Sequence, residues 1–242
     1  VIAAEDTRHT GLLLRRYGID TPLLAVHEHN EQQAAESIVG RLRNGGRVAL
    51  VTDAGTPAVS DPGARVVRAV LDAGLRVVPV PGASALTAAA SAAGLRGGLL
   101  TFAGFLPTGA LERQRLLREL TARGEAFALF EAPHRVAATA VELAGILGAG
   151  RRVVVARELT KKFETLRVCT AGELVEAIGA EPRGEYVLLV DAAEGAVAEV
   201  DALTRRWLAA LAEALPASRA AALAARVTGV PRDRLYALLA KD

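Results

Sequence analysis

The chain has 242 residues, 51% of them hydrophobic and 23% charged, which suits one large or two small domains and excludes a disordered chain. A net charge of +2 with a pI near 9.0 gives only weak non-specific attraction to nucleic acid, so a structured partner is expected rather than naked RNA. No apolar run approaches the roughly 18–20 residues of a membrane span, and no basic stretch precedes an apolar segment, so neither a membrane anchor nor a secretory signal is expected.

In chain order, residues 1–5 read as the end of a strand and 7–17 as a short helix stopped by Gly18. Because Val1-Ile2 looks like the interior of a strand, further residues are expected upstream. Residues 23–27 form a second strand, and 31–43 carry helical spacing (Ala34, Ile38, Leu42) that ends at Asn44-Gly45-Gly46. Strand 48–52, helix 63–73, strand 77–80 and the small-residue helix 84–93 follow. This is the alternation of a layered α/β domain. The pattern then restarts: strand 99–105, helix 111–122, strand 126–130, helix 136–147, strands 152–157 and 163–169, helix 171–178 and strand 186–191. Helices are expected at 202–215, 218–228 and 232–240. The domain boundary is placed within residues 94–98, giving units of 1–97, 98–198 and 199–242.

Two loops carry the most information. The run VTDAGTPAVSDPG (51–63) leaves a β-branched strand expected to be buried, and its small residues let a backbone approach a ligand closely. VPGASAL (80–86) repeats the plan on what is expected to be the adjacent strand. In open α/β sheets ligands bind at the carboxyl ends of strands, so the two loops would floor a site for a small, flat cofactor. No GxGxxG dinucleotide fingerprint is present.

Other polar clusters also follow strands. AEDTRHT (4–10) reads either as a helix cap, with Asp6 or Thr7 accepting from helix N–H groups, or as functional chemistry at a strand end. HEHNE (27–31) points two histidines the same way, but no third metal ligand lies nearby, and a capping or RNA-contacting loop fits better. FEAPHR (130–135) and ARELTKKFE (156–164) each set an arginine beside acids, which reads as surface ion pairing when taken singly and as a shared cleft when taken together. Of 29 basic residues all but Lys161, Lys162 and Lys241 are arginine, which suits planar contacts to phosphate and is also what GC-rich coding writes in place of lysine. The lone Cys169 excludes an internal disulfide, fits a reducing cytoplasm, and reads as a small hydrophobe in or near a strand. The Ala-rich helix, Gly229 turn and following helix with Arg232 and Arg234 fit either a helix-turn-helix or a hairpin that only packs.

On AAEDTRHT, HEHNE, VTDAGTPAVSDPG, VPGASAL, FAGFLP, FEAPHR, ARELTKKFE and GEYVLLV, in that order, the chain resembles the tetrapyrrole-methylase-like (class III) S-adenosylmethionine-dependent methyltransferases. It is most similar to their branch acting on 16S rRNA at a cytidine ribose 2′-hydroxyl. The resemblance implies two α/β domains with the cofactor, S-adenosyl-L-methionine, in the cleft between them, plus a helical tail. It implies cofactor contacts at Asp53, Ala54, Gly55, Thr56, Pro57, Val59, Ser84, Ala85, Phe130 and Glu131. It also implies an upstream strand and Gly/Pro loop that would close one side of the site.

Glu5 or Asp6 is then expected as base or orienter and Arg8 as a phosphate holder. His9, Arg135, Arg157, Lys161, Arg219, Arg232 and Arg234 would face RNA. No metal is required. The partner implied is 16S rRNA within the small ribosomal subunit, at the decoding region, with a homodimeric, cytoplasmic protein and no membrane. The alternatives are a small-molecule methylase of tetrapyrrole or diphthine type, against which EDTRHT and the basic tail argue, and a non-catalytic rRNA-binding assembly factor.

Overall fold

A parallel sheet opens the chain. Strand β1 (Ile2–Ala4) lies between β2 (Leu23–Ala25) and β3 (Ala49–Val51), with Ala4 level with Ala25 on one side and Val51 on the other. Helices α1 (Thr7–Arg16), α2 (Glu31–Arg43) and α3 (Ala64–Asp72) connect or follow these strands. Ala3, Val26, Ala34, Ile38, Val66 and Val70 form the core beneath. The start of α3 is fixed from α2: the buried Glu31 carboxylate accepts from the backbone N–H of Gly63 at 2.9 Å and of Arg65 at 2.8 Å, satisfying otherwise orphaned helix donors. This computed structural model describes residues 1–96, 98–193, 202–228 and 230–239. Positions 97, 229 and 240, the limit at 198–199 and the side chain of Arg234 lie outside the described residues.

The second sheet has five strands in the order β4-β5-β8-β6-β7. They are β4 (Leu100–Phe105), β5 (Ala126–Glu131), β6 (Arg152–Arg157), β7 (Thr165–Thr170) and β8 (Tyr186–Val190). Only β4 and β5 are parallel; β8 runs against both β5 and β6, and β7 against β6. The three central strands are buried on both faces, which is why they read as continuous apolar runs. Phe127, Leu129, Val153, Val155, Leu188 and Val190 face α5 (Ala110–Ala122), α6 (Pro133–Leu147) and α7 (Leu174–Ile178). Ala128, Val154, Ala156, Val187 and Leu189 face the opposite way, onto Ala89 and Ala93 of α4 (Ala85–Ala93). Thus α4, which the sequence order places before residue 94, packs on the second sheet. Cys169 is buried in this core, and burial pushes its thiol pKa up. Helices α8 (Ala202–Ala214), α9 (Ala217–Thr228) and α10 (Arg232–Leu239) form a separate small core on Leu208, Ala221, Ala224 and Leu235.

Three expectations are corrected. Residues 77–80 form no strand, and Val78 and Val80 are exposed at 59% and 85%. β-branched residues favour extended backbone, but a strand exists only when a neighbour completes its ladder, and no described residue does so here. Nor is β3 fully buried: it is paired on one side only, and Ala49 is exposed. Phe163 stands outside β7, which starts at Thr165.

Candidate active site

The carboxyl ends of β1 and β3 meet at Glu5. Its Oε2 accepts from the Thr52 hydroxyl at 2.6 Å and from the Asp53 N–H at 3.2 Å, tying the two strand ends together. Next door, Asp6 is the N-cap of α1: it accepts from the Arg8 N–H at 2.8 Å and from the Arg8 guanidinium at 2.6 and 3.1 Å. These bonds hold the Asp6 carboxyl well below the usual carboxylate range and raise Arg8 in turn. His9 Nδ1 lies 3.2 Å from Asp53 Oδ2. Asp6, His9 and Asp53 are close enough to share an ion, but Asp6 is already neutralised by Arg8. The two histidines of the HEHNE segment belong to no such group among the described residues. Asn30 closes that turn by accepting from the His27 N–H and donating to the Ala25 carbonyl.

Between the two sheets lies a cavity of about 370 Å³, within the range of small-molecule sites. Every predicted cofactor residue except Asp53 and Pro57 lines it. Thr56 donates to the Ala83 carbonyl at 3.0 Å, so the 53–57 loop is pinned to the 81–84 loop even though no strand leads into the latter. Gly55 has φ 73°, while Ala58 and Ser60 hold left-handed φ values of 67° and 63°, a cost of order 1–3 kcal/mol each that surrounding bonds must offset. The Ala58 N–H donates to the Pro62 carbonyl across this turn.

The opposite wall comes from the second sheet. Glu131 ends β5 with its carboxylate buried, accepting from the Thr139 hydroxyl at 2.7 Å and the Ala132 N–H at 3.0 Å and pairing with Arg135 Nε at 3.2 Å. Antiparallel register sets Tyr186 of β8 level with both Glu131 and Arg157, so the start of β8 joins the same edge as the ends of β5 and β6. Local pattern, which points to strand carboxyl ends, therefore passes over Glu185, Tyr186 and Val187 at the start of β8; Ala132 and Pro133, just beyond β5, also line the cavity but carry no polar side chain to mark them. It also passes over Ser60, Asp61 and Phe105, though all three lie within the VTDAGTPAVSDPG and FAGFLP runs. Phe105 reaches the cavity through a bulge at Gly104 (φ 65°), where three residues of β4 span two of β5, so Phe102 and Phe105 both meet the Phe130 ring edge to face.

The arginines and lysines expected to face RNA separate. Arg135 turns inward, donating to the Leu106 and Pro107 carbonyls besides its pairing with Glu131. Lys161 bridges Glu158 at 3.2 Å and Glu185 at 3.1 Å; burial pulls its pKa down, but the two carboxylates outweigh it and the net shift is upward. Glu158 is lowered by the Glu185 N–H and by Lys161. Arg157 keeps a buried Nε without a hydrogen-bond partner among the described residues. His9, Arg219 and Arg232 are exposed.

Asp61 differs from the other acids of the cleft. Burial raises its pKa, the Glu5, Asp53 and Glu185 carboxylates add to the rise, and contact with the Thr52 hydroxyl only partly offsets it. The cavity combines small residues that leave room for a flat ring, the aromatic Phe130 and Tyr186, and carboxylates suited to hydroxyl groups and a cationic centre, a lining that fits S-adenosylmethionine.

The chain matches the model of the Tetrapyrrole (Corrin/Porphyrin) Methylases over residues 1–175 and that of the RsmI C-terminal HTH domain over 198–241. It is 48% identical to ribosomal RNA small subunit methyltransferase I of Xylella fastidiosa (strain Temecula1), covering 98% of this chain and 88% of the relative. It is 43% identical to the protein of that name from Escherichia coli O157:H7, covering 98% and 84%. Among solved structures it resembles the cobalt precorrin-4 methyltransferase CbiF (TM-score 0.53, 19% identity, 78% of this chain and 82% of that one). It also resembles uroporphyrin-III C-methyltransferase from Thermus thermophilus complexed with S-adenyl homocysteine (TM-score 0.51, 18% identity, 78% and 84%). The chain thus belongs to the tetrapyrrole methylase family, and within it to the ribosomal RNA small subunit methyltransferase I group.

Proposed function

We propose that this protein methylates the ribose 2′-hydroxyl of a cytidine in the decoding region of 16S rRNA, using S-adenosylmethionine held between the two sheets. Membership of the small-subunit rRNA methyltransferase group carries the broad activity. The observation supporting its placement is the inter-sheet cavity, where the strand ends of both sheets converge on one small-residue floor. When bound, the cofactor supplies an electrophilic methyl carbon on a sulfonium. Ala54, Gly55, Thr56, Val59, Ser84 and Ala85 would seat it from the first half of the chain, and Phe130 and Glu131 from the second; Asp53 shapes the floor through its bond from His9. Catalysis here is mostly alignment in a water-poor cleft.

Small-subunit RNA would reach the cleft across Arg8, His9 and Arg157, with the tail anchoring remote phosphates through Arg219, Arg232 and Arg234. Lys161 acts through the loop it braces rather than on RNA directly. The protein works in the cytoplasm, and no described helix is long and apolar enough to cross a membrane. It pairs with a second copy; support comes from β7, an edge strand that exposes Leu166 and Val168 at 38% and 51%.

The test incubates the purified chain with labelled S-adenosylmethionine and small subunits lacking the modification, then maps the label by nuclease digestion and mass spectrometry. Label on a cytidine 2′-oxygen supports the reading. Label on a base, or on a tetrapyrrole offered in parallel, replaces it. Binding of subunits without cofactor binding by calorimetry would make the protein an assembly factor.

A further inference from the structure

A second, more open groove of about 590 Å³ adjoins the cofactor cavity. The two share a wall made by Ser60, Asp61 and Phe105. Phe105 and Asp61 of that wall, with Arg65 of the groove, each suit one part of a nucleotide. Phe105, 52% exposed, offers a face on which an unstacked base can lie. The exposed Arg65 stands at the groove rim, where a phosphate would find a planar cation. Asp61, an acid, lines both cavities.

Resting on the methyl-transfer reading above, we infer that this groove receives the acceptor nucleotide and that Asp61, on the shared wall, accepts the proton of its ribose hydroxyl. In that step the hydroxyl oxygen forms a bond to the methyl carbon, the carbon–sulfur bond breaks with its electron pair returning to sulfur, and the proton passes to an Asp61 oxygen. Glu5 and Asp6 are less suited to the role. Glu5 is engaged by Thr52 and Asp53, and Asp6 by Arg8 and the start of α1. The charged groups around Asp61 are nearly all acidic: the Glu5, Asp53 and Glu185 carboxylates act on it, Glu131 and Glu185 share the first cavity with it, and Glu28 and Glu31 share the groove, where Arg65 is the one cation among the described lining residues. This field favours proton uptake by Asp61. The turn that carries it, with left-handed Ala58 and Ser60, fixes its direction.

Asp61→Asn keeps the size and removes the proton acceptor. Single-turnover methyl transfer to small subunits should fall by about 10²–10⁴-fold. The rise of rate with pH that marks the free carboxylate should vanish, and calorimetric affinity for S-adenosylhomocysteine should stay at the wild-type value. Arg65→Ala, a separate and exposed change, should raise KM for the subunit about tenfold with kcat and cofactor affinity unchanged. An Asp61→Asn protein with wild-type rate overturns the proposal, and so does one whose loss of rate is matched by loss of cofactor affinity. A wild-type chain that binds cofactor but methylates no subunit RNA removes the functional reading, and this proposal with it.

Discussion

The Thr52 hydroxyl donates to the Glu5 carboxylate at 2.6 Å, joining the ends of two strands that are 47 residues apart in sequence. The same carboxylate receives the Asp53 N–H, so one side chain fixes where the 53–57 loop leaves the sheet. Glu5→Ala would remove the acceptor that the part-buried Thr52 hydroxyl and the exposed Asp53 N–H share, at a cost of about 1 kcal/mol. For a chain of this size that is a fall in Tm of about 2–4 °C per kcal/mol. Thermal unfolding followed by circular dichroism, with S-adenosylhomocysteine titration alongside, should show both lower stability and weaker cofactor binding.

Asp6 is a structural cap rather than a base. Its pKa lies below the ordinary carboxylate range, so at neutral pH it has little tendency to take up a proton. Asp6→Asn keeps an acceptor for the Arg8 N–H and should retain most of the methyl-transfer rate. Asp6→Ala removes the cap and should lower the midpoint of a denaturant titration. A large fall in rate for Asp6→Asn, with stability kept, would return the base to this position.

Glu131 is 1% exposed and carries three partners, of which Arg135 is itself anchored to two carbonyls. Removing one member of a buried pair leaves the other uncompensated, so Glu131→Ala should destabilise by about 3–5 kcal/mol. Urea unfolding should show a lower midpoint with an unchanged slope. Arg135→Ala should behave similarly, and its loss should not weaken small-subunit binding once the protein is folded.

Asp61 makes a prediction about pH and stability. Its folded pKa lies above the unfolded value, so the folded state binds its proton more tightly. That contribution is fully present below the unfolded carboxyl pKa and is lost as pH rises through the folded pKa. Above both, the ionised group destabilises the fold. Asp61→Asn should therefore be more stable than wild type at neutral pH, and the difference should shrink as pH falls into the carboxylate range. Denaturation series at matched pH values check this, and a neutral-pH loss of stability in Asp61→Asn would contradict the geometry of the cleft.

Local patterns alone located most elements. Central strands β5, β6 and β8 declared themselves as apolar runs because both of their faces are covered, and Gly18, Gly45 and Gly94 marked helix ends because left-handed backbone suits glycine. Small residues at 53–57 and 84–85 pointed to close backbone approach, and those positions do border the cavity apart from Asp53 and Pro57. Sequence also determined the family, through motifs spread from Ala3 to Val190.

Tertiary structure decided what local pattern could not. Residues 77–80 have strand propensity, yet a ladder needs a partner that propensity does not supply. The reversed direction of β8 brought Tyr186 and Glu185 to an edge where only strand ends were sought. Arg135 and Asp6 looked like chemistry because charge in sequence carries no direction. Folding turned one onto carbonyls and Glu131 and closed the other onto its own helix, because a charge removed from water needs a partner close by. Asp61 acquired its character the same way, from burial that only the assembled cleft provides and from the carboxylates of Glu5, Asp53 and Glu185, two of which come from other segments.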